Sequence, residues 1–289
     1  MRLGVLLALC LVAWTAPHGV GPRAGQTFRS GIEAVRVDVL VLDGGQPVTG
    51  LTARDFEVRD NGVLQQIDRV SFEQIPLNVV LALDMSGSLE GEGLEQLRGA
   101  AGALLDGLHP DDQVALVTFS HMVAQQSGLT RRAELVRAAI GRMKAEGGTA
   151  LVDGAFAGMM LAQSDADRAL EVVFSDGVDT ASWLMPDAVI DAAKRSDAVV
   201  YTVYAGKAPA PPFLRDLAAF TGGRVFENPR ESSLRPTFTR ILAEFRQRYL
   251  LTYSPRDVAP GGWHRLRVNV RNRRATVTVR ARPGYMRGS

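Results

Sequence analysis

From about residue 77 to residue 248 the chain alternates between short apolar runs and segments with the periodicity of a helix. Residues 77–83 and 114–119 are apolar at nearly every position, which is typical of strands covered on both faces of a parallel sheet. Between these runs, leucine and alanine recur every three or four residues over 94–108, as in a helix with one buried face. The alternation predicts an α/β fold, a doubly wound and mostly parallel sheet with helices on both faces.

The same alternation continues to the end of this zone. Further strands are predicted at 170–174, 198–204 and 224–226. Helices are predicted at 133–143, from about 150, and at 186–194, 213–220 and 233–247. No tandem repeat or long linker interrupts the zone, so we expect residues 76–248 to form one domain.

The flanking zones, 26–75 and 249–289, show the two-residue alternation of strands instead. Near the start, valine occupies every second position at Val35, Val37, Val39 and Val41. The turn sequence Asp60-Asn61-Gly62 separates two short apolar stretches, which predicts a hairpin. Near the end, strands are predicted at 249–253, 264–270 and 275–281. Because the two zones flank the α/β domain, we expect their strands to pack together as a small β accessory module.

The first 25 residues have the pattern of an export signal. Arg2 precedes an apolar run at 3–16, and small residues follow up to Gly25. This order is typical of a secretory signal peptide, and the run is shorter than the roughly 20 apolar residues of a membrane-spanning helix. We therefore expect a secreted or periplasmic protein, with an uncleaved N-terminal anchor as the alternative. Cleavage would remove Cys10, the one cysteine, and with it any thiol catalysis or cysteine-based zinc site.

Charge is distributed unevenly along the chain. The last 50 residues contain 12 arginines and two acidic residues, whereas the whole chain has a net charge of +2. If 264–270 and 275–281 pair as a hairpin, one outward face would carry Arg265, Arg267, Arg271, Arg280 and Arg282. Such a face would attract an anionic envelope surface, and a plain solvated strand face is the alternative. No aromatic residues are interleaved with these arginines, so nucleic acid is not expected as a partner.

Oxygen-bearing side chains follow two of the predicted strands and open one of the predicted helices. Asp84, Ser86 and Ser88 come directly after the first buried strand, Thr149 lies in a Gly-Gly-Thr loop, and Asp176 ends a later strand within Ser-Asp-Gly. Carboxylate and hydroxyl oxygens suit a hard divalent cation. Taken singly, Asp84, Ser86 or Ser88 could instead cap the helix that follows.

This set of five residues resembles the metal-ion-dependent adhesion site (MIDAS) of von Willebrand factor A (VWA) domains in order, spacing and strand context. The outer zones resemble a bacterial subfamily of secreted VWA-related proteins. That second resemblance rests on residues 47–51 (PVTGL), 55–58 (DFEV), 248–253 (RYLLTY) and 282–285 (RPGY).

The resemblance implies a VWA fold and a bound Mg²⁺ or Mn²⁺ ion. The implied metal ligands are Asp84, Ser86, Ser88, Thr149 and Asp176. It also implies that a partner protein supplies a carboxylate to the metal. We expect further partner contacts at Asp179, on the rim of the site, and at Arg265, Arg267 and Arg271. Ordinary turn chemistry is the alternative for Asp179.

Signals for catalysis and nucleotide binding are missing from the sequence. The histidines beyond the leader, His109, His121 and His264, do not have the spacing of metal ligands. There is no G-x-S-x-G elbow and no P-loop motif. We therefore expect a binding protein and neither an enzyme nor a nucleotide-binding protein. Two alternatives stay open: a structural envelope protein with a purely stabilising metal site, and a metal-assisted hydrolase.

Overall fold

The computed structural model describes residues 34–72, 75–163, 168–227, 234–271 and 276–288. The predicted signal peptide at 1–25 lies outside the described residues. Within the described ranges, none of the helices has the length and apolar character needed to cross a bilayer.

Strands and helices follow one another as the sequence predicts, with several additional strands. The strands are β1 (Val35–Asp43), β2 (Gln46–Pro47), β3 (Phe56–Asp60), β4 (Val63–Gln65), β5 (Arg69–Ser71), β6 (Leu77–Asp84), β7 (Gln113–Phe119), β8 (Val123–Thr130), β9 (Arg168–Ser175), β10 (Val199–Tyr204), β11 (Val225–Glu227), β12 (Tyr249–Tyr253), β13 (Gly262–Val270), β14 (Val277–Arg280) and β15 (Gly284–Arg287). The helices are α1 (Glu92–Asp106), α2 (Ala133–Arg142), α3 (Leu151–Ala162), α4 (Pro186–Ala193), α5 (Pro212–Thr221) and α6 (Leu234–Arg246).

The central sheet has the strand order β11-β10-β9-β6-β7-β8. Its strands run parallel except β8, which pairs antiparallel with β7 at the edge. The predicted doubly wound, mostly parallel α/β fold is therefore confirmed. β8 was not predicted, because its sequence, VAQQSGLT, is polar and largely exposed. An edge strand with one solvated side lacks the apolar pattern of a buried strand.

Helices cover both faces of this sheet. One apolar cluster joins the sheet to α1, α2 and α6 through residues such as Leu97, Val136 and Phe238. A second cluster joins the opposite face to α3, α4 and α5. β6 and β9, in the middle, are buried at every position. Packing on both faces therefore fixes the ends of the two central strands, and with them the first residues of the loops that follow.

Strands from both ends of the chain pair with one another. β1 pairs with β12 and with β14, and β3 pairs with β13 and β4. Their inward side chains form a third apolar cluster around Val37, Tyr249 and Leu251. The predicted β module of N- and C-terminal strands is thus present.

The predicted hairpin of 264–270 with 275–281 is wrong for the described residues. β13 pairs with β3 and β15, whereas β14 pairs with β1. β13 and β14 pair with strands distant in sequence instead of with each other. These pairings place their inward side chains in the apolar cluster around Tyr249.

Candidate metal centre

The candidate site lies at the point where the strand order of the central sheet reverses. β6 is flanked by β9 on one side and by β7 on the other. The chain leaves β6 towards β7, whereas it leaves β9 towards β10. The carboxyl ends of such neighbouring strands border a crevice, which is the usual ligand site of open α/β sheets. Asp84 is the last residue of β6, and Asp176 directly follows β9.

Asp84 is held by hydrogen bonds on both carboxylate oxygens. Ser86 N donates to Oδ1 at 2.8 Å, and the Ser175 hydroxyl donates to Oδ2 at 2.6 Å. The side chain is completely buried. These bonds fix the direction of the carboxylate and turn the backbone at residues 85–86, so that Ser86 and Ser88 follow at the mouth of the crevice.

The hydroxyls of this loop connect Asp84 with Asp176. Ser86 Oγ and Ser88 Oγ are 3.1 Å apart, and Ser88 Oγ donates to Asp176 Oδ1 at 2.8 Å. Ser86 is buried, Asp176 is half-buried and Ser88 is exposed. The cluster therefore runs from the interior to the surface, and its outer members are accessible to a ligand.

Glycines bring the third loop against the other two. Gly87 N donates to Gly147 O at 3.1 Å, which ties the loop after β6 to the Gly-Gly-Thr loop. Gly147 has φ +77°, and a Cβ added there would lie 2.3 Å from His121 Nδ1. A Cβ added at Gly177, next to Asp176, would lie 3.2 Å from Thr149 Oγ1. The structure therefore brings all five predicted residues to one crevice.

Burial and charge at this cluster favour a cation. The pKa of Asp84 is raised to about 6. Desolvation by burial is the largest cause and the nearby Asp176 carboxylate adds to it, whereas the Ser175 and Ser86 hydrogen bonds oppose the shift. Among the described residues, neither aspartate forms an ion pair with Lys, Arg or His. Two neighbouring carboxylates without a protein cation, and three hydroxyls beside them, fit a hard divalent ion.

Nitrogen and sulfur ligands play no part in this arrangement. In the described part of the chain there is no group of three or more His, Cys, Asp or Glu side chains arranged to bind a metal. The candidate centre has two carboxylates, and its other oxygens belong to hydroxyl groups. A donor set of this kind suits Mg²⁺ or Mn²⁺ better than a soft ion.

The capping alternative does not hold for these residues. α1 begins at Glu92 after Gly91, well beyond Ser88. Ser86 precedes a short 3₁₀ turn at Gly87–Leu89, and its side chain makes no capping hydrogen bond to that turn. Asp84 receives the Ser86 N–H within its own loop. The hydroxyls of Ser86 and Ser88 are thus directed to the crevice and not to a helix end.

Three polar residues around the centre, Ser175, Thr180 and Ser182, were not assigned roles from the sequence, whereas Asp153 was expected to act electrostatically at the start of its helix. Ser175 binds Asp84, and Thr180 Oγ1 accepts the Thr149 N–H at 3.0 Å. Ser182 Oγ accepts the Val152 N–H at 3.0 Å, and Asp153 receives two backbone N–H groups of the loop after β9. Ser175 could have been found from its position beside Asp176 at the strand end, whereas Thr180 and Ser182 become partners only through folding.

Asp179 has intramolecular partners. Its Oδ1 accepts the Val152 N–H at 3.3 Å and the Ser182 hydroxyl at 2.5 Å. The side chain thus helps to cap α3, as an ordinary turn and cap residue would. The predicted contact between Asp179 and a partner stays a prediction.

The arginines predicted to share a face are separated. Arg265, Arg267 and Arg271 are exposed on or just after β13. Arg282 is buried and donates to Asp197 Oδ1 at 2.8 Å, and Arg280 lies 3.5 Å from Glu244 Oε1. The predicted five-arginine face is therefore wrong, because β13 and β14 lie in different pairings.

A groove of about 680 Å³ nevertheless lies beside two of these arginines. Its lining includes Arg59, Arg265, Arg267, Trp263 and Phe220, and no acidic residue. Arg59 and Arg267 stand directly opposite each other across β3 and β13, an unfavourable like-charge pair. Arg59 is paired with Glu57 at 2.8 Å. Among the described residues, Arg265 and Arg267 form no ion pair.

Comparison with known families assigns the fold to one group. Residues 78–240 match the model of the von Willebrand factor type A domain. The chain belongs to the VWA family. The matched range runs from the second residue of β6 past the end of β11 and includes the three loops that form the candidate metal centre.

Relatives in sequence share only part of their length with this VWA protein. It is 35% identical over 135 residues to the "Uncharacterized protein sll0103" of Synechocystis sp., covering 46% of this chain and 30% of the relative. It is 28% identical over 165 residues to the human inter-alpha-trypsin inhibitor heavy chain H4, covering 52% of this chain and 18% of the relative. The chain thus spans less than a third of each of these relatives.

Solved structures with the same fold include a bacterial and an animal protein. The von Willebrand factor type A protein from Catenulispora acidiphila covers 90% of this chain and 75% of its own length, with a TM-score of 0.53 and 13% identity. Proximal thread matrix protein 1 of the mussel byssus, solved with a zinc-occupied MIDAS motif, has a TM-score of 0.52 and 15% identity. That match covers 64% of this chain and 49% of the mussel protein. At these identities the likeness concerns the fold.

Proposed function

We propose that this chain is an exported VWA protein that binds a partner protein through a divalent cation held by Asp84, Ser86, Ser88, Thr149 and Asp176. The observation that carries the proposal is the convergence of these side chains from three loops, with two carboxylates that have no cationic partner in the described protein. The family assignment supports the same function.

Each residue has a distinct part in this proposal. Ser86, Ser88 and Thr149 offer hydroxyl oxygens, and Asp84 and Asp176 offer carboxylate oxygens, directly or through water. When bound, the ion supplies positive charge and a coordination position for a carboxylate from outside. The buried Asp84 orients the loop through Ser86 N, and the exposed Ser88 faces the approach from solvent. A partner's Asp or Glu side chain suits such a site in charge and in ligand type.

Titration calorimetry with Mg²⁺ and with Mn²⁺ tests the proposed metal centre. The unaltered protein should bind one ion, and Asp176→Asn should weaken binding by at least about tenfold, since a charge-bearing ligand is lost. Asp187→Asn removes the same charge from the exposed first turn of α4 and should leave the affinity unchanged. Absence of Mg²⁺ and Mn²⁺ binding to the folded, unaltered protein would contradict the proposal.

Partner binding separates the proposed function from its alternatives. Capture of a carboxylate-bearing peptide should be lost in EDTA and weakened by Thr149→Ala. If capture survives both treatments, the metal only stabilises the loops, as in a structural envelope protein. If the protein instead turns over a substrate, and Asp84→Ala abolishes turnover while the fold persists, it is a metal-assisted enzyme.

The groove at Arg265 and Arg267 supports a second binding role. We propose that it contacts an anionic polymer of the cell envelope, because its lining combines three arginines with no acid. On immobilised heparin, the Arg265→Ser/Arg267→Ser variant should elute at lower NaCl than the unaltered protein. Arg131→Ser/Arg132→Ser removes two exposed arginines before α2 and serves as the matched control. Equal elution of the two variants, or retention that salt does not weaken, would overturn this role.

A further inference from the structure

Large apolar side chains are exposed in the loop that joins β9 to α4. We call residues 178–185 the apolar loop. Its exposed members are Val178 (57% exposed), Trp183 (93%), Leu184 (37%) and Met185 (71%). They make up four of the eight large apolar side chains with such exposure among the described residues. Single exposed apolar residues are ordinary, but a cluster that includes a tryptophan marks an interaction surface.

The apolar loop is held in place by hydrogen bonds. Trp183 N donates to Asp153 Oδ2 and Leu184 N donates to Asp153 Oδ1, each at 2.9 Å. In return, Ser182 Oγ accepts the Val152 N–H at 3.0 Å and the Asp153 N–H at 3.2 Å. The loop and the first turn of α3 thus cap each other. Trp183 is exposed on a fixed backbone, so a partner that covers it does not have to order the loop first.

The apolar loop directly adjoins the candidate metal centre. Thr149 O accepts the N–H groups of Thr180 and Ala181 at 2.9 and 3.1 Å. Trp183 follows Ala181 by two residues, a span of about 7 Å at most. A ligand whose carboxylate reaches the two loops of Thr149 and Asp176 therefore lies within side-chain reach of Trp183.

Charge near the apolar loop favours a protein segment over a lipid surface. No lysine or arginine occurs between Arg168 and Lys194, whereas Asp176, Asp179 and Asp187 lie in that stretch. Asp191, at its end, is paired with Lys194. An acidic surface of this kind repels anionic headgroups. A protein segment can instead combine an acidic side chain for the metal with an apolar side chain for the loop. Tryptophan is among the residues that contribute most to such protein interfaces.

We propose that the apolar loop selects the partner: it contacts a large aliphatic or aromatic side chain that lies within a few residues of the carboxylate donated to the metal. The inference rests on the proposed function, because it names the type of segment that the metal centre binds. Trp183, the most exposed of the four, makes the main contact, and the exposed Val178 and Met185 belong to the same loop. The partner motif is an Asp or Glu beside Phe, Tyr, Trp, Leu, Ile or Met.

Selection from a displayed library of random dodecapeptides tests this inference. The full chain is used with Mn²⁺ and, in parallel, with EDTA. With Mn²⁺, the unaltered protein should enrich peptides that carry an acid next to an apolar residue. Trp183→Ser should still enrich acidic peptides but lose the apolar preference, and it should bind the selected peptides at least about tenfold more weakly. Because Trp183 is 93% exposed, this substitution leaves the core unchanged.

The outcomes separate this inference from the function it rests on. Leu135→Ser, which removes an exposed apolar side chain from α2, is the control and should select like the unaltered protein. Enrichment of acids without apolar neighbours would overturn the inference and leave the metal-dependent function standing. Absence of any EDTA-sensitive enrichment of acids would overturn both.

A lipid partner is tested with the fluorescence of the same tryptophan. In a Trp14→Phe/Trp263→Phe chain, Trp183 is the one remaining tryptophan. It should emit as a solvent-exposed indole, and vesicles of phosphatidylcholine with phosphatidylglycerol should not change its emission. The selected peptides should shift the emission to the blue with Mn²⁺ and not with EDTA. A blue shift caused by vesicles in EDTA would overturn the inference in favour of membrane contact.

Discussion

Two buried carboxyl groups on neighbouring strands have different surroundings. Asp84 on β6 receives two hydrogen bonds and lies at an open crevice. Glu171 on β9 is completely buried, and neither of its carboxyl oxygens has a hydrogen-bond partner among the described residues. A Cβ added at Gly158 of α3 would lie 2.2 Å from Glu171 Oε1, so α3 packs directly on this carboxyl. Burial raises the pKa of Glu171 well above its ordinary value of 4.5.

This shift predicts a pH-dependent effect of Glu171→Gln. Between pH 4.5 and the raised pKa the folded protein holds a proton that the unfolded chain releases. The contribution of Glu171 to stability is therefore full below pH 4.5 and is lost as the pH rises. Relative to the unaltered protein, the glutamine variant should gain up to about 1.4 kcal/mol of unfolding free energy per pH unit in that range. Urea unfolding from pH 4 to pH 8 measures the difference, and a constant difference would contradict the assignment.

At the scale of elements, the candidate centre depends on loops that approach one another very closely. The loop before α3 packs against the turn after β7, where Gly147 meets His121, and its backbone holds the loop after β6 through Gly87. Gly147 is needed twice, for its positive φ and for the absence of a Cβ. The position of Thr149 therefore depends on Gly147, because only glycine fits the backbone conformation and the space two residues earlier.

Gly147→Ala should destabilise the protein and weaken its metal binding together. Strain at the positive φ and the contact with His121 should lower the unfolding free energy by about 1–3 kcal/mol. His121→Ala in the same chain should restore only the part due to the contact. Gly141→Ala, in α2 with no atom within 4 Å of the new Cβ, is the control and should be neutral or slightly stabilising. Thermal unfolding and calorimetry with Mn²⁺ measure the two effects; unchanged metal affinity would separate the Gly147 loop from the centre.

At the scale of the whole molecule, buried arginines join the β module to the central sheet. Arg168, at the start of β9, donates through Nε to Asp38 of β1 at 2.8 Å and also contacts the ring of Phe245. Arg248 is completely buried and donates to Gly222 O at 2.6 Å and to Tyr201 OH at 3.0 Å. These contacts cross from one set of strands to the other, so we expect the two parts to unfold together.

Asp38→Asn should therefore destabilise the whole chain. The substitution leaves the Arg168 guanidinium buried without its carboxylate, which costs about 3–5 kcal/mol. Scanning calorimetry of the unaltered protein should show one cooperative transition, shifted to lower temperature in the variant. Arg168→Met combined with Asp38→Asn should recover part of the loss, because no charge is left unpaired. Two separate transitions in the unaltered protein would show that the module unfolds independently.

The sequence by itself indicated the α/β fold, the β module and the five residues of the candidate centre. Local signals were sufficient for the fold, because apolar runs identify buried strands and parallel strands end at the same edge of a sheet. The set of five also rested on its resemblance to the MIDAS of VWA domains. Asp84 and Asp176 follow such strands, so their convergence was predictable.

Only the tertiary structure decided which strands pair and which side chains are covered. β8 and the partners of β13 were missed, since strand pairing depends on segments distant in sequence. Local pattern likewise does not reveal that Arg248 and Glu171 are buried while Trp183 is exposed on a fixed loop. The physical reason is that the burial of a side chain depends on how several elements pack together. The sequence pattern reports only the secondary-structure preference of one segment.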